Sequence, residues 1–248
     1  MYCWICGNAV ARFERYGVPE RTGLCPHCGA KPRARALEWL LAEVIGPALG
    51  YGDRILEVGP SRFSIDRLNQ GRSLRARPWT LIDRRITRAH RRVRSPHRFL
   101  RMDVCRLGFS SRSFDLLLCN NILPYVREDR KALSEIARCL KLDGLAIINT
   151  HTGPGATLSA AEHRRLHPEL DDDFYAANGD QWVYGEDFYD RIADAGLIHR
   201  TAWLFGDRPR EFLLENGLNP DNRCLFAFLE PSALDRCLHP SLSFSESP

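Results

Sequence analysis

The feature that most constrains the fold is an apolar run that meets a glycine turn, at residues 54–63. Its apolar positions at 55, 56 and 58 are typical of a strand buried in a parallel sheet. Gly59 ends the strand, and Ser61 can cap a helix that begins near Arg62. A strand, a tight turn and a helix N-terminus form the nucleotide-binding corner of doubly wound α/β folds. One such corner is weak evidence, so its meaning depends on the segments that follow.

Segments typical of strands and of helices alternate along the rest of the chain. This alternation predicts a parallel sheet that helices cover on both faces, which is a Rossmann-like α/β fold. We expect seven strands, one of which is placed antiparallel by a C-terminal hairpin. Further strands are predicted at residues 79–83, 99–103, 114–119, 145–149, 199–205 and 224–229, and helices at residues 35–45, 64–69, 129–140 and 184–196.

Two Cys-x-x-Cys pairs lie within residues 1–32, and they are Cys3 with Cys6 and Cys25 with Cys28. Two such turns that face each other form a tetrahedral four-thiolate site suited to Zn²⁺. A ribbon of about 30 residues cannot bury a core of its own, so the metal would supply much of its folding free energy. Four protein ligands leave no open position, so we expect a structural zinc ion. Unrelated thiols or a redox pair fit this doubled spacing less well.

The composition is that of an ordinary globular chain, with 248 residues, nine cysteines and a formal net charge of +4. No apolar run approaches the ~20 residues that a membrane-spanning helix needs. The first residues lack the charged start and the long apolar centre of a secretory signal. We therefore expect a cytoplasmic protein, in which paired cysteines favour metal binding over disulfides.

The basic charge is concentrated between Arg84 and Arg94, directly after the strand predicted at residues 79–83. A solvated helix face is the ordinary interpretation of such a run. Its density also suits an anionic partner, and the candidates are a phosphorylated or carboxylated substrate, an acidic carrier protein or RNA. No aromatic residues that could stack on bases are interleaved with these arginines.

Taken together, these segments resemble class I S-adenosylmethionine-dependent methyltransferases, and more closely a bacterial group in which a zinc ribbon precedes the methyltransferase domain. The resemblance covers residues 3–205 and is best at residues 102–126. Residues 129–145 match the family's helix and following glycine turn, and residues 184–188 resemble a motif seen late in these proteins. The domain would occupy residues 33–230. The Ser- and Pro-rich tail at residues 231–248 is expected to be poorly ordered.

The resemblance implies that residues near strand ends bind the cofactor. Glu57 and Gly59 match the first motif, where glycine lets the methionine part of S-adenosylmethionine approach the backbone. Asp83 matches the carboxylate that accepts hydrogen bonds from both ribose hydroxyls, a task that suits a group with two acceptor oxygens. Asp103 matches the acid that binds the adenine amino group, and Val104 would offer its backbone amide.

Asn120 matches the family's residue that faces the methionine end of the cofactor, but two nearby stretches depart from the family's pattern. Ser61 and Phe63 replace the second and third glycines of the first motif. Serine is small enough for cofactor binding, whereas Phe63 indicates an altered turn or a side chain that closes over the cofactor. Asn121, Pro124 and Tyr125 lie in a stretch where zinc-ribbon relatives commonly carry His and Glu, so no general base is carried over from it.

His151 is our candidate general base, because it follows the strand predicted at residues 145–149 and an imidazole titrates near neutral pH. The structural alternative is a histidine that is bonded to a nearby loop. Tyr125, Trp182 and Tyr184 are candidates for an aromatic substrate pocket, although aromatic residues in such loops are more often packed locally.

The expected function is S-adenosylmethionine-dependent methylation of an oxygen or nitrogen atom of a small molecule, in secondary metabolism. Such a transfer is an in-line displacement that depends mainly on positioning and desolvation. Methylation of ribosomal RNA is the main alternative, because some ribosomal RNA methyltransferases also pair a zinc ribbon with this fold. A methyltransferase-like fold with non-methylating chemistry is a third possibility, which the altered glycine motif motivates.

Overall fold

An eight-stranded mixed sheet forms the centre of the computed structural model. The structure describes residues 1–17, 21–69, 79–88, 90–170, 179–205, 207–219, 222–235, 239 and 242–244. In chain order the strands are β1 (Tyr2–Cys3), β2 (Asn8–Ala9), β3 (Glu14–Tyr16), β4 (Arg21–Leu24), β5 (Ile55–Val58), β6 (Trp79–Asp83), β7 (Arg98–Arg101), β8 (Phe114–Asn120), β9 (Leu140–Asn149), β10 (Leu158–Ser159), β11 (Trp182–Val183), β12 (Ile198–Leu204), β13 (Arg223–Phe228) and β14 (Leu242–Phe244).

The central sheet has the strand order β14-β12-β13-β9-β8-β5-β6-β7. β5 pairs in parallel with β6 on one side and with β8 on the other. β7 and β9 extend the parallel part beyond β6 and β8. β13 lies antiparallel between β9 and β12. The Rossmann-like α/β fold predicted from the sequence is confirmed.

Helices connect these strands and cover the sheet. α4 ends one residue before the end predicted at residue 140, and β9 begins at Leu140, five residues before the strand predicted at residues 145–149. The helices are α1 (Pro32–Trp39), α2 (Gly46–Ala48), α3 (Arg62–Asn69), α4 (Asp129–Cys139), α5 (Ala160–Leu166), α6 (Phe188–Asp194), α7 (Arg210–Glu215) and α8 (Ser232–Asp235), with a π-helical segment at Leu40–Ile45 and 3₁₀ turns at His90–Arg92 and Leu123–Tyr125.

Apolar side chains fill a layer on each face of the sheet, which explains why the central strands are apolar throughout. Alternate residues of β5 enter different layers, with Ile55 in one and Leu56 in the other. Leu41 from the π-helical segment covers the first face, and Ile136 from α4 covers the second. Both helices therefore anchor the strands whose ends carry the predicted site. Among the described residues, no helix is long and apolar enough to cross a membrane.

We expected residues 231–248 to be poorly ordered, but part of this tail has regular secondary structure. Ser232–Asp235 is helical, and Leu242–Phe244 pairs with β12 as the eighth strand of the sheet. The segment is held because the Leu242 side chain is buried and the Phe244 side chain packs on the core. The rest of the tail, apart from Pro231 and His239, lies outside the described residues.

The basic segment between Arg84 and Arg94 does not form the solvated helix that we considered. Its described part contains only the 3₁₀ turn His90–Arg92, and Ala89 lies outside the described residues. Several of its groups are engaged within the protein. Nη2 of Arg92 donates to Asp66 at 2.8 Å, and the carbonyl of Arg84 accepts a hydrogen bond from Arg101 at 3.2 Å.

The N-terminal ribbon consists of two small hairpins, β1 with β2 and β3 with β4. Its own core is small and comprises Cys3, Val10, Phe13, Cys25 and Ala30. The ribbon packs on the rest of the chain at Gly217, where a Cβ would lie 2.6 Å from the Phe13 ring. The Phe13 ring can pack here only because residue 217 is a glycine. The ribbon therefore contacts the turn that follows α7.

Candidate functional site

The strand order reverses between β5 and β8, and ligands of open α/β sheets bind in the crevice at such a point. Val58 pairs with Ile82 on one side and with Cys119 on the other. The next residues of the three strands consequently lie side by side at the carboxyl edge of the sheet, and they are Gly59, Asp83 and Asn120. Asp103 follows β7 at the same edge.

Gly59 has a left-handed backbone with φ of 61°. Its amide donates to the carbonyl of Ile82 at 2.8 Å. The Ile122 side chain lies directly over it, because a Cβ at residue 59 would be 2.1 Å from Ile122 Cδ1. Glycine is required both by the backbone conformation and by this close approach. Ile122 was missed from the sequence, since nothing local marks a contact between two different strand–loop corners.

Glu57, Ser61 and Ser64 link β5 to the first turn of α3. The Glu57 side chain is buried, and its Oε1 accepts a hydrogen bond from Ser64 Oγ at 2.6 Å. Ser61 Oγ accepts from the Ser64 amide at 3.1 Å, which is the capping contact expected at this turn. Cofactor binding by Glu57 and Ser61 stays a prediction. Phe63 packs against the core of the ribbon, so it does not follow the expectation of a side chain closing over the cofactor.

Asp83 ends β6, and its two carboxylate oxygens have different neighbours. Oδ1 accepts a hydrogen bond from the Arg85 amide at 2.8 Å, whereas Oδ2 lies 3.9 Å from Nε2 of His90. His90 is buried and stacks on Phe99, and its Nδ1 accepts from the Thr87 amide at 3.1 Å. Nδ1 is therefore used as an acceptor, and Nε2 is the ring nitrogen that faces Asp83. His90, which we did not predict, is placed to orient the proposed ribose-binding carboxylate.

Asp103 lies at the same edge and remains partly open to solvent. Oδ1 accepts from the Cys105 amide at 2.9 Å, and Oδ2 is 3.4 Å from Nε of Arg84. The Asp103 side chain is 42% exposed, whereas Val104 is buried. The carboxylate is thus accessible to a ligand, which is compatible with the predicted adenine contact.

Asn120 ends β8 in a relay of side-chain amides. The Leu225 amide donates to Asn149 Oδ1 at 2.9 Å, and Asn149 Nδ2 donates to Asn120 Oδ1 at 2.9 Å. This relay sets the orientation of the Asn120 amide. Its Nδ2 is buried and has no hydrogen-bond partner among the described residues. A buried donor of this kind is costly unless a ligand supplies an acceptor.

These groups fit S-adenosylmethionine by their chemistry. Two carboxylates can accept hydrogen bonds from ribose and adenine, and the buried Asn120 amide can donate to the carboxylate of the methionine part. Gly59 allows close approach at the reversal of strand order. The cofactor, when bound, supplies a methyl group activated by a sulfonium sulfur. The residues that would hold it are those of the three adjacent strand ends together with Asp103.

His151 lies two residues beyond β9 and is solvent-exposed. Desolvation of its ring by neighbouring atoms lowers its pKa, and the positive charges of Arg21, Arg223 and Arg33 lower it further. These arginines come from β4, β13 and α1, which the fold brings near His151. The imidazole is therefore neutral at pH 7, the state in which it can accept a proton.

The three aromatic candidates have different environments. Tyr184 is buried, and its hydroxyl donates to Asp129 Oδ2 at 2.9 Å, so this side chain belongs to the core. Trp182 Nε1 donates to the carbonyl of Val126 at 2.9 Å. The Tyr125 side chain as a whole is exposed. Partial desolvation of its hydroxyl, and then the negative charge of Asp180, raises its pKa. Of the three, Tyr184 is buried, Trp182 is half-buried and Tyr125 is exposed.

The four cysteines of the ribbon converge, with all their sulfur atoms within 4.8 Å of one another. The Sγ atoms of Cys3 and Cys28 are 3.8 Å apart, and those of Cys6 and Cys25 are 3.9 Å apart. A tetrahedral ion with Zn–S bonds of about 2.3 Å requires sulfur–sulfur distances of about 3.8 Å. The cluster is therefore compatible with a four-thiolate zinc site.

The two Cys-x-x-Cys turns have the same construction. The Gly7 amide donates to the Cys3 carbonyl and the Gly29 amide to the Cys25 carbonyl, both at 2.8 Å. Both glycines have a positive φ, which explains why glycine follows each pair. Burial, and then the nearby Cys25 thiol, raises the pKa of Cys3. A bound cation would offset this cost by stabilising the thiolates.

Comparisons with known proteins agree with this geometry. Residues 75–148 match the model of a family described as a methyltransferase domain. No curated protein matches the sequence. A chain from the complex of the Haloferax volcanii Trm112 methyltransferase activator with a putative methyltransferase is similar, at 16% identity and a TM-score of 0.50. That similarity covers 79% of this chain and 92% of the other chain.

The [4+2]-cyclase SpnF is also similar, with 16% identity and a TM-score of 0.51 over 78% of this chain and 66% of the cyclase chain. At such low identity these structures support the fold alone. The family match lies on the parallel strands that carry Asp83, Asp103 and Asn120. The chain therefore has a Rossmann-like fold, and residues 75–148 of it match a methyltransferase domain.

Proposed function

We propose that the protein transfers the methyl group of S-adenosylmethionine to an oxygen or nitrogen atom of an anionic small molecule. The buried Asn120 amide carries the proposal, because its Nδ2 lacks an acceptor among the described residues and Asn120 ends β8 beside the end of β5, at the reversal of strand order. We also propose a structural zinc ion on Cys3, Cys6, Cys25 and Cys28, supported by the converging sulfur atoms.

The charges around His151 support an anionic substrate. Arg21, Arg33 and Arg223 all act on the His151 imidazole. Burial lowers the pKa of Lys31, and the charges of Arg33 and Arg21 lower it further, so positive charge is concentrated where the ribbon meets α1. Such a concentration attracts carboxylated or phosphorylated molecules. His151 would accept the proton of a hydroxyl or amine nucleophile.

A small molecule is favoured over RNA because two arginines of the basic segment already form ion pairs with acidic side chains of the protein. Arg84 lies 3.4 Å from Asp103, and Arg92 is paired with Asp66. RNA binding would instead require these arginines to face phosphates. The similar SpnF structure is named a cyclase, so non-methylating chemistry on this fold remains an outcome that the experiment must distinguish. One of the similar structures comes from a complex with the Trm112 activator, so a protein partner is a further candidate for this chain.

Titration calorimetry with S-adenosylhomocysteine tests the cofactor, and we expect a single site per chain. Transfer of labelled methyl groups from S-adenosylmethionine should then be measured with carboxylated and phosphorylated small molecules and, separately, with structured RNA. Transfer to a small anion supports the proposal, whereas salt-dependent RNA binding with RNA methylation replaces it. Cofactor binding with cyclised or otherwise unmethylated product indicates the non-methylating alternative. The absence of binding at millimolar S-adenosylhomocysteine contradicts the proposal.

A further inference from the structure

The first turn of α3 is in contact with the second Cys-x-x-Cys turn, residues 25–29, which we call the second knuckle. The Arg62 guanidinium donates to the carbonyl of Cys28. Its Nη2 lies 3.2 Å from the position of a Cβ at Gly29, so the knuckle and the arginine are packed closely. The guanidinium also lies 4.8 Å from the centre of the Phe63 ring. Phe63 in turn packs on the core of the ribbon.

The same helical turn shapes the proposed cofactor corner. Ser64, which follows Phe63, binds both Ser61 Oγ and the buried Glu57 carboxylate. The side chains of residues 61–64 therefore point to two sites: two serines hold the corner, and the arginine and phenylalanine hold the knuckle. A shift of this turn would move Ser61 and Ser64 relative to Gly59.

Arg35 of α1 anchors the residues that flank the second knuckle in the chain. This side chain is fully buried, and Nη1 donates to the Ala30 carbonyl at 2.9 Å. Nη2 donates to the carbonyls of Gly23 and Gly217. These hydrogen bonds attach the ribbon to the domain next to the second knuckle. When the knuckle is folded, it is therefore held in place where α3 packs against it.

We propose that the second knuckle positions the cofactor corner through Arg62 and Phe63, so that metal binding and cofactor binding strengthen each other. The inference depends on the proposed binding of S-adenosylmethionine. Small metal-binding ribbons lose their fold without the ion, and a loosened knuckle would no longer support the first turn of α3. This role also explains why Phe63 stands where the methyltransferases that this chain resembles carry a glycine.

The test is a thermodynamic cycle on the full chain, because coupling between two sites is reciprocal. Calorimetry measures the affinity for S-adenosylhomocysteine in zinc-loaded and in zinc-depleted protein. We expect zinc depletion to weaken this affinity by about fivefold or more, the lower end of typical coupling. Competition with a chromophoric chelator measures zinc affinity, which should rise by the same factor when S-adenosylhomocysteine is saturating.

Variants that keep the metal ligands separate this coupling from general unfolding. Arg62→Ala and Phe63→Ala, each with zinc bound, should weaken S-adenosylhomocysteine binding and reduce the effect of the cofactor analogue on zinc affinity. Arg130→Ala is the matched control, since it removes an exposed ion pair with Asp194 that is unconnected with the ribbon. The control should keep the full reciprocal effect.

The inference is overturned if S-adenosylhomocysteine binds but its presence leaves the zinc affinity of the wild-type protein unchanged. It is equally overturned if Arg62→Ala and Phe63→Ala keep the wild-type coupling. The proposed function survives both results. If S-adenosylhomocysteine binds to neither form, the proposed function fails first and the inference fails with it.

Discussion

At the scale of single residues, the surroundings of each carboxylate decide what it can do. Asp83 and Asp103 lie at the sheet edge, and each still presents partly exposed oxygen atoms. Asp129 is almost fully buried and accepts hydrogen bonds from Tyr184 and Arg191, at 2.9 and 2.8 Å. The first two can serve a ligand, whereas the third serves the fold.

Gly59→Ala should impair cofactor binding. The substitution places a Cβ 2.1 Å from Ile122 Cδ1 and puts alanine at φ of 61°, which costs about 1–2 kcal/mol before any clash. We expect affinity for S-adenosylhomocysteine to fall about tenfold or more, as measured by calorimetry. Gly52→Ala is the control, because nothing lies within 4 Å of the added Cβ. Unchanged affinity in the Gly59 variant would show that this close approach does not limit binding.

His151 should set the acidic limb of the pH profile for methyl transfer. Desolvation and then Arg21 lower its pKa below the ordinary value of 6.5, so the active neutral form persists to lower pH. Removing positive charge with Arg21→Gln raises the pKa and should move the acidic limb of kcat/KM to higher pH. Arg130→Gln should leave the limb in place. A limb that is identical in wild type, Arg21→Gln and His151→Ala would eliminate His151 as the base.

At the scale of secondary-structure elements, α4 and α6 are joined by two ion pairs that differ in burial. Asp129 and Arg191 form the inner pair, with 4% and 10% of their side chains exposed. The Arg191 guanidinium also lies 5.0 Å from the centre of the Trp182 ring, so β11 contacts the inner pair as well. Arg130 and Asp194 form the outer pair, which is more than half exposed. The inner pair therefore holds these elements together.

Asp129→Ala should strongly destabilise the protein, because it leaves the buried Arg191 with only its longer ion pair to Asp187, at 3.7 Å. Removing one member of a buried pair costs about 3–5 kcal/mol, whereas an exposed pair contributes about 0–1 kcal/mol. Asp194→Ala is the matched control on the same two helices. Urea denaturation should show a large fall in the free energy of unfolding for the first variant only. Similar values for both variants would contradict the role of the inner pair.

At the scale of the whole molecule, the ribbon and the Rossmann-like domain share one packed boundary. Phe13 lies on Gly217, Trp4 Nε1 donates to the Arg35 carbonyl at 3.1 Å, and Arg62 holds the second knuckle. The ribbon therefore extends the domain and does not stand apart from it.

Metal removal should lower the stability of the whole chain as well as that of the ribbon. We expect one zinc ion per chain by elemental analysis, and a fall in Tm of several degrees after chelation, because the ion stabilises only the folded ribbon. Cys25→Ser should bind zinc poorly and show the lowered Tm without chelation. His27→Ala lies in the same knuckle outside the four-sulfur cluster, and it should retain zinc. An unchanged Tm after complete zinc removal would contradict this prediction.

Much of the site followed from local sequence. The apolar run of β5, with Gly59 after it, predicted a strand and a turn, because side-chain periodicity and backbone preference act over a few residues. The doubled Cys-x-x-Cys spacing likewise predicted four converging thiols. His90 and Ile122 escaped prediction, since each acts on a residue of another segment and looks ordinary in its own.

The sequence by itself determined the α/β order of elements and the paired cysteines, because both depend on short-range spacing. Only the tertiary structure decided that Leu242–Phe244 adds an eighth strand and that Asn149 orients Asn120. It also decided that Arg62 and Phe63 meet the second knuckle, a contact between segments that are distant in the chain. Such contacts depend on how whole layers pack, and a local pattern of residues carries no information about its distant partner.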